Sequence, residues 1–221
     1  MKKSVGIIPL SGFMGAGLIA AGALIAAVAY RGSAGESYCI LNHFISELGD
    51  VGVSRLAGVF NVFLIAGALC LTVFLVGLAR LIGGRIMYLF LLTGLVTGIS
   101  GALVGIFPMN HLKPHLIVAM LFFDSAMITI ILFSVWVILT RHKVHPRWLA
   151  LMGLMPAACL FSFIFLRKPI SEHGPLLAIP EHFTRPDFWP TAAMEWSVLI
   201  SILTWVIVVA LTIRKEVRCR T

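Results

Sequence analysis

Six stretches of largely apolar residues run the length of this chain, each about as long as the roughly 20 residues a helix needs to cross a bilayer core about 30 Å thick. They occupy 6–29, 56–78, 86–107, 116–140, 148–166 and 190–213. With 60% hydrophobic and only 12% charged residues among 221, the chain has more apolar surface than a soluble core of this size can bury. The expected fold is therefore all-α, a polytopic six-transmembrane-helix bundle forming one domain over 1–221. The first stretch follows Lys2 and Lys3 as a leader peptide would, but its length favours a retained helix.

The connections 79–85, 108–115 and 141–147 are short, so consecutive helices should be antiparallel neighbours. Lys and Arg then orient the bundle, because they are kept preferentially on the cytoplasmic side. Lys2, Lys3, Arg80, Arg85, Arg141, Lys143, Arg147, Arg214, Lys215, Arg218 and Arg220 fall on the side of the termini; Arg31, Arg55, Lys113, Arg167, Lys168 and Arg185 fall opposite. Both termini are accordingly expected in the cytoplasm of a multi-pass protein of the cell membrane. The net charge of +8 reads as topology and attraction to anionic headgroups rather than nucleic-acid binding. Of the four cysteines only Cys39 is expected outside, which leaves no internal disulfide framework.

Eight of the nine acidic residues and five of the seven histidines lie on the external side or within the outer half. The external connections are 30–55, 108–115 and 167–189, and the two longer ones hold Glu36, His43, Glu47, Asp50, Glu172, His173, Glu181, His182 and Asp187. Five prolines from Pro169 to Pro190 oppose a long helix in the last loop and suggest an extended cap. Asn61, Asp124 and Glu195 fall inside spans, where a polar side chain must face protein, water or a ligand. Gly94, Gly98, Gly101 and Gly105 in the third span form small-xxx-small pairs suited to close helix packing. Pro156 could break the fifth span.

Two chemical readings compete for the polar residues. Ser46, Glu47, Asn61, His115, Asp124 and Glu195 can form the polar floor of an outward-facing pocket for a lipid or another amphipathic molecule. Alternatively, His43, Glu47, Asp50, His111 and His115 offer imidazole and carboxylate donors for zinc, which could activate water in a hydrolase acting on a lipid ester or amide. His43 and Glu47 would share a face if 42–48 were helical, whereas Pro114 disfavours a helical Lys113 between His111 and His115. No Gly-x-Ser-x-Gly elbow surrounds Ser46, and no histidine lies deep enough for haem. A third reading makes the chain a structural or regulatory subunit, a homo-oligomer or the partner of another membrane protein. Whether it is an enzyme stays open.

The stretch His43-Phe-Ile-Ser-Glu-Leu-Gly49 followed by Phe60-Asn61, and Gly101-Ala-Leu-Val-Gly-Ile-Phe-Pro108 with Asn110, His115 and Phe122-Phe123, resemble two signatures of the membrane family catalogued as domain of unknown function 998. The resemblance covers residues 40–125. It implies a six-helix membrane bundle with an external polar signature carried by Ser46, Glu47, Gly49, Asn61, Gly105, Pro108 and His115. It implies no reaction.

Overall fold

The computed structural model describes residues 2–140, 146–166 and 185–219. Six helices account for most of them: α1 (Lys2–Ala29), α2 (Ala57–Ile82), α3 (Ile86–Ile106), α4 (Leu112–Leu139), α5 (Trp148–Phe161) and α6 (Pro190–Cys219). Each expected span corresponds to one helix, and all six are long and apolar enough to cross a membrane. Helices consecutive in the chain pack side by side, and α6 returns to α1, which closes the bundle into a ring. Only 33 to 44% of each span's most apolar window is buried, so the larger part of that surface must meet lipid.

Local chemistry sets the helix ends. Gly83 and Gly84 follow α2 with φ of 64° and 63°, a left-handed pair that residues with a Cβ rarely adopt and that turns the chain straight into α3. Helix α4 starts at Leu112, four residues earlier than expected, and takes Lys113 and Pro114 into its first turn. Pro114 is tolerated there because the first amide groups of a helix have no intrahelical acceptor to lose. Helix α5 runs through Pro156 without the expected break and widens into a π turn at Ser162–Leu166. Neighbouring helices can absorb such a lost backbone bond.

Small residues bring helices together. A Cβ on Gly15 would lie 2.6 Å from Leu71 Cδ2 and 2.9 Å from the Gly67 carbonyl, which fixes the crossing of α1 and α2. The α3 glycines behave as their spacing implies: Gly94, Gly98 and Gly105 abut Leu75, Thr72 and Ile65 of α2, and Gly101 meets Phe122 of α4. The main core runs down the ring interior through Phe74, Phe90, Phe133, Leu149 and Leu160. A smaller cluster of Ala23, Ala26, Tyr30, Leu48 and Phe60 seats the 30–56 connection onto the ends of α1 and α2.

Candidate functional site

The 30–56 connection folds over the end of the bundle opposite the termini and carries a 3-10 turn, Ile45–Gly49. Glu47 closes that turn by accepting the Phe44 amide at 2.8 Å, the carboxylate half of a capping arrangement. Asn61, near the start of α2, donates to the Gly49 carbonyl at 3.0 Å. Its side chain lies so close that any Cβ at Gly49 would collide with it. Gly49 is thus needed for space, while the left-handed positions of the loop fall to Gly35 and Gly52, with φ of 79° and 100°.

Glu47 is 9% exposed yet saturated with donors. Arg185 spans both of its oxygens at 3.1 and 2.8 Å, and the Tyr30 hydroxyl donates at 3.3 Å. Burial and the Glu47 charge push the Tyr30 hydroxyl up from its ordinary range, which keeps it a donor. Arg185 also donates to the Asn42 carbonyl at 2.7 Å, and the Trp189 amide to the Leu41 carbonyl at 2.8 Å. Trp196 donates through its indole to the Tyr38 hydroxyl at 2.9 Å, which in turn donates to the Phe44 carbonyl at 2.9 Å. The segment entering α6 is therefore tied to the first loop by an ion pair and a ladder of hydrogen bonds. Glu47 is spent on holding this cap together.

Below the cap, α1, α2, α3, α4 and α6 leave a cavity of about 130 Å³. Its walls are mostly aliphatic and aromatic, running along α6 from Glu195 to Val206, about 16 Å of helical rise. Ser46, His115 and Glu195 line its cap end. The Glu195 carboxylate accepts the Ile45 amide at 2.7 Å. His115 Nδ1 lies 2.8 Å from the Phe107 carbonyl, an acceptor only, so Nδ1 carries the proton and Nε2 is left with a lone pair. Deeper, Thr97 and Thr129 line the wall but donate to carbonyls of their own helices.

Of the six residues expected to floor a pocket, Ser46, His115 and Glu195 thus meet on one cavity. Glu47 and Asn61 are not among the lining residues and instead organise the cap. Asp124 does not join them: it lies exposed on the outer face of α4. The zinc candidates disperse. His43 is 2% exposed with Nδ1 2.7 Å from Asn42 Oδ1, Asp50 is half-buried, His111 is exposed and His115 belongs to the cavity. Among the described residues no group of three or more His, Cys, Asp and Glu is arranged to hold a metal. His173, Glu172, Glu181, His182 and most of the proline-rich segment lie outside the described residues.

Sequence reasoning passed over Tyr30 and Tyr38 and left Arg185 without a role. A usable signal was present: two of the three tyrosines sit within the loop that holds Glu47.

A closed ring of six apolar helices with its polar chemistry gathered at one end defines a multi-pass integral membrane protein. The model of the family described as protein of unknown function (DUF998) matches residues 18–212, and the chain belongs to that family. No curated protein and no solved structure matches it.

Proposed function

We propose that the protein binds a single-chain amphipathic molecule, with its tail in the cavity and its polar head against Ser46, His115 and Glu195. The carrying observation is the vertical division of that cavity, with Ser46, His115 and Glu195 gathered at the cap end while mostly aliphatic and aromatic walls continue toward the middle of the bundle, where Trp205 Nε1 has no partner among the described residues. A volume of about 130 Å³ is close to that of the apolar cavity of about 150 Å³ known to accept a benzene-sized guest. That supports one chain segment and argues against a diacyl lipid. A bare Nε2 at His115 accepts a hydrogen bond, so a head that donates, a hydroxyl or an ammonium, is favoured over a phosphate. The lysine and arginine asymmetry supports placing this end on the external face of the cell membrane.

Lipid analysis of the purified protein tests the reading, with Ala126→Phe as the matched control because Ala126 is 3% exposed and lines the cavity. Wild type should carry single-chain amphiphiles close to one equivalent, and the filled variant should carry few. Equal lipid content in a well-folded Ala126→Phe protein contradicts the proposal.

A further inference from the structure

Asp124 sits at the midpoint of the 31-residue span Met109–Leu139, about 22 Å of helical rise from either end, and it is exposed on the outside of the ring. Among the described residues its carboxylate has no hydrogen-bond or ion-pair partner. An ionisable side chain at that depth ordinarily faces a bundle interior or a water-filled cavity, because hydrocarbon solvates neither its charge nor its hydrogen-bonding groups. No headgroup reaches the bilayer midplane. The residues around it supply a second, independent observation. Ile117, Leu121, Ile128, Ile131 and Val135 are 69, 47, 45, 44 and 40% exposed, and with Asp124 they fall at alternating spacings of four and three. That spacing is the seam along which two helices pack side chain into side chain.

We infer that this face of α4 docks a transmembrane helix of another polypeptide that carries a lysine or arginine near its own midpoint. Charge complementarity selects this occupant over a second copy of the same chain. A twofold contact along the seam would set two Asp124 carboxylates against each other at low dielectric, and the described cations of this chain lie at helix ends, as do Arg80, Arg85, Arg147 and Arg214, or in the connections, as do Arg31, Arg55 and Arg185. The single polar position within an apolar seam would also fix the register of the partner, as a lone buried polar residue does in coiled coils. This docking is independent of what the interior cavity holds.

The test co-reconstitutes the full-length protein, donor-labelled on Cys39, with acceptor-labelled synthetic leucine-alanine helices of about 20 residues in phosphatidylcholine vesicles. The helices differ only in carrying arginine or leucine at the centre. Energy transfer should reach half-saturation at a several-fold lower ratio of peptide to lipid for the arginine helix. Asp124→Asn should weaken that preference and Asp124→Leu should abolish it. Because Asp124→Leu removes a charge from a lipid-facing site, its melting temperature should not fall, which separates lost docking from lost folding. Equal transfer for the two helices overturns the inference. So does self-association of the labelled protein that disappears in Asp124→Leu, since the seam would then belong to a second copy.

Discussion

Arg185 clasps both carboxylate oxygens of Glu47 at 3.1 and 2.8 Å across a separation of 138 residues, and so joins the entrance of α6 to the turn that roofs the cavity. The pair is only partly shielded, with side chains 22 and 11% exposed, so its value lies below that of a fully buried ion pair. Removing Arg185 leaves Glu47 with the Phe44 amide and the Tyr30 hydroxyl as donors. Arg185→Ala should therefore destabilise by about 1–3 kcal/mol. A double-mutant cycle with Glu47→Gln, read by thermal melting in detergent, should give a coupling well above zero. Additive losses would mean that the two side chains do not depend on each other.

His43 makes the cap sensitive to acid. Burial first and the Arg185 charge second hold its imidazole below the ordinary 6.5, against an opposing pull from Glu47 and Glu36. Folding therefore favours neutral His43, whose contribution is complete above about 6.5 and is lost as pH falls through that value toward the lowered one. Asp50 acts oppositely over a lower window. Burial and the neighbouring Glu47 raise its carboxyl above 3.8, so its contribution grows on acidification. Melting temperatures compared at pH 7.5 and 5.5 should drop for wild type and drop less for His43→Gln.

Gly105 should not tolerate a side chain. A Cβ there would lie 2.7 Å from Ile65 Cγ1 and 2.9 Å from the Asn61 carbonyl, and that backbone cannot yield without moving the residue that clamps Gly49. Gly105→Val should destabilise by about 1–3 kcal/mol through overpacking, whereas Gly58→Val, where a Cβ meets nothing within 4 Å, should be nearly neutral. Equal melting temperatures for the two variants would show that α2 and α3 do not need this close approach.

Cys39 is exposed on the cap, while Cys70 and Cys159 are half-buried in spans. A membrane-impermeant maleimide applied to intact cells should label wild type and not Cys39→Ser. Labelling at Cys39 that requires permeabilised cells would place the cap in the cytoplasm and reverse the proposed orientation.

The six helices were legible because span length is a property of one continuous stretch, written as uninterrupted apolar residues. Ser46, His115 and Glu195 group together because each falls at or near the outer end of a span, and the three line one cavity. Direction was not legible. Helix α4 is apolar all round, so no periodicity marks which face turns inward, and Asp124 at the right depth for a pocket proved to point the wrong way. The Glu47 and Arg185 pair was hidden for a different reason. Both lie in connections without periodic pattern, and nothing local in either segment encodes a partner so distant in the chain.

The account turns on whether an acyl tail occupies the space beneath the cap, and Trp205, which lines that cavity, can report it. Single-chain amphiphiles brominated along the tail should quench the fluorescence of Trp205, obtained as wild type minus Trp205→Phe. Quenching should saturate near one equivalent, and Ala126→Phe should remove it. Trp148, 47% exposed at the start of α5, should respond only to bulk brominated lipid. Saturable quenching of Trp205 blocked by Ala126→Phe is the predicted result. Quenching that merely follows total bromolipid, and is equal for Trp205 and Trp148, would contradict a tail-binding cavity.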